Sequence, residues 1–181
     1  MDVILKHEPM TIPTYEPYAA NTLPFFLEKK AYQGATGRIY PVPYTDRLSN
    51  KPVDKEYDSY TLENEHVKVV LLPELGGKIH GAVDKHNNYE FIYQNTVIKP
   101  AMVGIAGPWV SGGVEMNWPQ HHRPTTFMPL EATPKKNADG SVTVWMGEAE
   151  PFHRMRGMVG ITVYPGRSYV EAKAVVYNRT D

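Results

Sequence analysis

The sequence predicts a mostly β protein, an antiparallel β-sandwich, on three observations. Sixteen prolines and fourteen glycines in 181 residues cut the chain into short pieces, and runs of helix-favouring residues are few. Twelve tyrosines add a residue that suits a half-buried pleated surface. Apolar and polar residues alternate with period two over residues 60–93 and again over 126–177, between turn-forming clusters. The length suffices for one sizeable core and gives no reason to expect a second.

Residues 1–34 read as an extended N-terminal arm: segment 11–24, TIPTYEPYAANTLP, is rich in proline and tyrosine without a helical period, and Phe25, Phe26 and Leu27 supply an anchor. Residues 35–181 form the sandwich domain. Within it, 37–44, GRIYPVPY, suits an edge strand, because prolines lack the donors an inner strand needs, and the polar residues 50–58 read as a loop. Tyr60 and Leu62 form a short strand, Asn64 and Glu65 a turn, and 66–72 a second strand with Val67, Val69 and Leu71 on one face. Residues 73–77 turn the chain on Gly76 and Gly77, which take positive φ without strain. Residues 78–84 resume as a strand, with Ile79, Gly81 and Val83 on one face and His80 and Ala82 on the other. After the turn 85–88, residues 89–93 close the meander. Strands 126–133 and 141–146 pair across the charged turn 134–140, with Trp145 expected in the core. The charged bend 148–156, EAEPFHRMR, leads to a last hairpin of 157–164 and 168–177 across Pro165, Gly166 and Arg167. Its final strand sets Tyr169, Glu171, Lys173 and Val175 on one side, and Val170, Ala172, Ala174 and Val176 on the other. The alternation runs almost to the last residue without a closing element, which predicts a fragment of a longer protein, incomplete at its C-terminus.

Composition narrows the function. Nineteen basic against twenty acidic residues leave a net charge of −1, so nothing draws the whole chain to nucleic acid or to an anionic membrane. With no cysteine, disulfides, thiolate chemistry and cysteine-held zinc are excluded. The start, MDVILKHEPM, lacks the basic region and long apolar run of a signal peptide, and the longest uncharged stretch, between Lys99 and Glu115, is too short to span a bilayer. A cytoplasmic location is expected.

The segment 107–124, GPWVSGGVEMNWPQHHRP, carries the candidate chemistry. A carboxylate and an imidazole facing one cavity can move a proton at a sugar hydroxyl or ring oxygen, which makes Glu115 and His122 the candidate acid/base groups; the alternative is a glutamate bonded to loop backbone and histidines capping a turn. Adjacent residues on an extended chain point opposite ways, so one of His121 and His122 reaches a given ligand. Trp109 and Trp118 offer either pyranose-stacking faces or core ballast, and Asn117, Gln120 and Arg123 offer hydroxyl-orienting groups. His80, His121, His122 and Glu115 are metal-ligand types, but no H-E-x-x-H helix or close ligand pair accompanies them, so neither metal nor cofactor is expected. The triplet Gly76-Gly77-Lys78 lacks phosphate-loop spacing and reads as a turn, and His153, Arg154 and Arg156 as a solvated corner.

Three segments together resemble the galactose-mutarotase-like, or aldose 1-epimerase-like, supersandwich: TLENEHVKVVLLPELGGKIHGAVD at 61–84, SGGVEMNWPQHHRP at 111–124, and SYVEAKAVVYNRTD at 168–181. Within that superfamily the chain is most similar to an uncharacterised bacterial domain that precedes tetratricopeptide repeats in larger proteins. The resemblance covers about residues 35 to 181 and implies a sandwich that binds an aldose or oligosaccharide. Gly112, Gly113, Trp118 and Pro119 match its substrate loop; Gly112, Gly113 and Trp118, with Trp109, Asn117, His121, Arg123 and His80 from the reading of the residues themselves, are the expected substrate-binding residues. Glu115, His121 and His122 depart from it, which puts plain mutarotation in doubt. The resemblance also implies that the epimerase catalytic pair would fall beyond Asp181. The expected function is the sugar-binding N-terminal part of an epimerase- or glycoside-hydrolase-type enzyme, partnered by the polypeptide after Asp181. The alternative is a non-catalytic carbohydrate-binding or scaffold domain of a larger repeat protein.

Overall fold

The computed structural model describes residues 2–20, 25–26, 39–40, 45, 47–102, 108–118, 126–150 and 154–179, with backbone alone at 25–26, 39–40, 102 and 108. In chain order the strands are β1 (Ile4–Thr14), β2 (Phe25–Phe26), β3 (Ile39–Tyr40), β4 (Val53–Glu63), β5 (Val67–Leu72), β6 (Lys78–Asp84), β7 (Tyr89–Ile92), β8 (Ala101–Met102), β9 (Pro108–Trp109), β10 (Glu131–Lys136), β11 (Val142–Ala149), β12 (Arg156–Val163) and β13 (Val170–Tyr177). They form a five-stranded sheet ordered β1-β4-β5-β6-β7, a four-stranded sheet ordered β10-β11-β12-β13, and two ribbons, β2-β3 and β8-β9. All described pairings between these strands are antiparallel.

Period two decides the layering. Leu62, Val69 and Leu71 on the first sheet meet Val144, Met146 and Ile161 on the second, and all six are fully buried. This is the core of a β-sandwich, in which each strand gives alternate residues to the shared interior. The outer face of the first sheet is covered too: Tyr57 and Leu72 pack there with Ile12, Leu75, Ile98 and Val110, so the segment leading to residue 118 lies across that face. A buried asparagine ties the two sheets at one end. Buried Asn64 donates through Nδ2 to the Tyr164 and Arg167 carbonyls, both at 2.7 Å, and its Oδ1 accepts from the backbone of His66 and Val67.

The structure departs from the sequence reading where partners are distant. Residues 4–14, read as part of the extended arm, are an edge strand of the first sheet, paired with β4 from Ile4↔Glu63 to Thr14↔Val53. Pro9 and Pro13 fit that position because they share one parity and an edge strand leaves alternate N–H positions without a partner. The same pairing turns residues 53–58, expected as loop, into the first half of β4. The strand expected at 126–133 sits later, at Glu131–Lys136, and includes Pro134, again on an edge. A bulge between Val70 and Leu71 shifts the β5–β6 register. Ile79 and Ala82 therefore both reach the core, whereas Gly81 lies beneath the Gln94 side chain. Trp145 is not in the core; it projects from the outer face of the second sheet.

Candidate functional site

Lys78 and His80 open the site from β6. Lys78 pairs with Leu72, which puts it on the covered outer face of the first sheet, where it is 4% exposed. Its Nζ donates to the carbonyls of Val110 at 3.0 Å and Ser111 at 3.4 Å, fastening the crossing segment to the sheet. Burial pushes its pKa down to about 8, and the negative charge of Glu115 opposes part of that shift. His80, 2% exposed, is pushed down to about 4 by burial first and by the Lys78 charge second, so it is a neutral imidazole at pH 7.

Residues 109–118 fold over these two groups because their glycines permit it. Gly112 and Gly113 have φ of 81° and 67°, in the region that favours glycine. A Cβ at Gly113 would run into the Ile79 carbonyl oxygen. That close approach lets Val114 pair with Ile79, through N–H···O bonds of 2.9 and 3.1 Å, at a stretch of β6 that β7 does not reach. Asn95 Nδ2 holds the Ser111 carbonyl at 2.8 Å, and the Gly113 N–H donates to the Tyr93 carbonyl at 2.7 Å. On this frame the Trp109 indole N–H donates to Glu115 Oε2 at 3.3 Å. The result is a buried ammonium that feels the charge of the Glu115 carboxylate and in turn acts on a buried neutral imidazole, with a glycine loop folded against the same strand. Such a set can accept hydroxyl protons and donate to a ring oxygen or an anionic group.

The expected residues divide. Trp109 is hydrogen-bonded to Glu115, Gly113 lies against the Ile79 and His80 carbonyls, Gly112 lies against Asn95, and the Glu115 charge acts on Lys78. Asn117 is exposed. Trp118 goes to the core, packed on Gly157, where a Cβ would overlap its indole; its ring is not available for stacking. His121, His122 and Arg123, and with them the proposed acid/base partner of Glu115, lie outside the described residues, as does His153. Lys78 is the member that sequence reasoning missed. Its signal was a lysine in register with Leu72 on a strand face shared with Val70, but it was read as the flank of a glycine turn. Among the described residues, no cluster of three or more His, Asp or Glu side chains could hold a metal ion, and no helix is long and apolar enough to cross a membrane.

Residues 35–181 match the model of a family described as a domain of unknown function, DUF5107. The chain belongs to that family. It is also similar to a solved structure, a TPR-domain-containing protein from Parabacteroides distasonis, at 27% identity and a TM-score of 0.86. That match covers 99% of this chain and 30% of the other, so the DUF5107 chain spans under a third of its solved relative. The relative's match includes the N-terminal residues that the family model leaves out, in agreement with β1 being a strand of the sandwich.

Proposed function

We propose that this chain is a β-sandwich scaffold module of a larger, repeat-containing polypeptide, docking against further strands of that polypeptide rather than acting as an enzyme complete in itself. The observation that carries this is an uncovered interior face. The register sets Val159, Ile161 and Val163 beside Ala174, Ala172 and Val170 on the inward side of the second sheet. The first three are buried, whereas Ala172 and Ala174 are exposed and Val176, next along the row, is 54% exposed. The second sheet thus overhangs the first by about one strand, leaving apolar surface and an open edge. Additional strands from the same polypeptide supply the cover, in keeping with a solved relative more than three times as long. Hydrogen exchange tests this: β13 amides should exchange far more slowly in the longer polypeptide than in the 181-residue chain. Equal rates would remove the docking role.

A second reading keeps the sugar site, because Glu115, Trp109, Lys78 and His80 gather under a loop that resembles the mutarotase-like substrate loop. A buried ammonium acted on by a carboxylate's charge, in a place that apolar residues could fill, favours function over stability. In this reading Trp109 is the stacking face, and Glu115 with His122 binds hydroxyls or moves protons. In the longer polypeptide, Glu115→Gln should lower turnover of a responsive aldose by about 10²-fold or more. Unchanged turnover leaves Glu115 a binding group. No fluorescence response to a sugar panel in that polypeptide would sink the sugar reading while leaving the docking one intact.

A further inference from the structure

We propose that the outer face of the second sheet is a binding site for an acidic oligosaccharide, built on Trp145. This face lies on the opposite side of the sandwich from Lys78 and Glu115, and the inference does not rest on the loop site. Trp145 stands in register between Thr133 on β10 and Gly160 on β12. A Cβ at Gly160 would lie 2.9 Å from three atoms of the indole. The ring is therefore laid flat on the Gly160 backbone, and glycine is what lets it lie there. With one face on the sheet, the other looks into a groove of about 680 Å³ that crosses β10, β11 and β12. That volume is in the range of small-ligand sites.

The groove's charges name the ligand class. Lys135, Arg156 and Arg179 line it, all three are exposed, and none of their side chains is in an ion pair or hydrogen bond among the described residues. Glu131, on the row next to Trp145, is a carboxylate on the same face, and Glu148 lies at the groove's end. The flat C–H face of a pyranose fits the indole, and the guanidinium and ammonium groups fit a uronic-acid carboxylate. Thr133 and Glu131 can accept hydrogen bonds from ring hydroxyls.

Calorimetric titration with an oligogalacturonate of defined length tests the proposal. Saturable binding is expected, weakening as NaCl rises from about 50 mM to about 500 mM. Trp145→Ala should weaken it about tenfold or more, with Trp145→Phe keeping part of the affinity. Should Trp145→Ala fail to fold by circular dichroism, Lys135→Gln and Arg156→Gln, both on exposed positions, carry the test and should each weaken binding severalfold. Absence of binding overturns the proposal, as does equal binding of a neutral malto-oligosaccharide or tighter binding of a single-stranded oligoribonucleotide. Binding lost in Glu115→Gln but kept in Trp145→Ala would place the ligand on the other side of the sandwich and overturn it as well.

Discussion

Replacing Lys78 by methionine tests the buried polar cluster through a proton rather than through a contact. The folded chain holds this ammonium at a pKa of about 8 against an ordinary 10.5. Between those values the unfolded chain keeps a proton that the folded chain has released, so stability rises with pH across the window; below about 8 the folded state carries the full cost of the buried charge. That cost is about 3 kcal/mol, and between about pH 8 and about pH 9.5 some 1.5 to 2 kcal/mol of it should be recovered, roughly. Methionine has a similar length, no proton and no donors. It relieves the charge burial but leaves the Val110 and Ser111 carbonyls without their lysine, at about 1–3 kcal/mol for each that water cannot reach. These opposing effects make neutral-pH stability a poor readout. The slope with pH is the clean one. Urea unfolding followed by tryptophan fluorescence should show stability climbing through this window in the wild type and staying nearly flat in Lys78→Met. The window stops short of Tyr57 and Tyr60, whose pKa values burial raises above 10.0. Parallel slopes in the two proteins would refute the claim that this ammonium is desolvated.

Three further outcomes are expected. His80, lowered from 6.5 to about 4, contributes stability that is whole above pH 6.5 and lost as pH falls towards 4, about 3 kcal/mol in all; His80→Gln should remove that part of the acid sensitivity, and an unchanged acid limb in urea titrations would contradict it. Asn64→Ala strips partners from the Tyr164 and Arg167 carbonyls and from the His66 and Val67 N–H groups, and should cost about 3 kcal/mol or more by urea unfolding; a loss under about 1 kcal/mol would mean that water replaces the tie. Gly157→Val drives a side chain into the Trp118 indole and should cost about 2 to 3 kcal/mol, with red-shifted tryptophan emission as the ring leaves the core; emission that does not move would deny the packing.

What could be read from the sequence follows the distance between partners. The β12–β13 hairpin was legible because its turn residues and alternating faces sit within one short stretch, and the observed register keeps both faces as expected. The β1–β4 pairing was not, since Ile4 meets Glu63 across the whole intervening segment and an edge strand has no need of a continuous apolar pattern. The β5–β6 bulge was hidden for a related reason: alternation within β6 is regular, and only its partner shows that Ile79 and Ala82 share the core. Of the site, the loop residues Trp109, Gly112, Gly113 and Glu115 were legible from composition, whereas Lys78 needed the knowledge that the outer face of its strand is covered.

The tryptophans make the same point in terms of function. Composition places Trp145, between Val144 and Met146, in the core, and leaves Trp118, among glycine, proline and polar residues, open between a stacking face and the core. The glycine opposite each ring overturns the first and decides the second. Gly157 leaves a vacancy on the inward face that Trp118 fills, and Gly160 leaves one on the outward face over which Trp145 lies flat. Strand parity already separated Trp145 from Val144; a large apolar residue simply outweighed it as evidence of burial. A tryptophan set on the outside of a sheet against glycine, with cations around it that have no ion pair among the described residues, is held in place by backbone rather than by a core. That is the condition under which its free face can serve a ligand without loosening the fold.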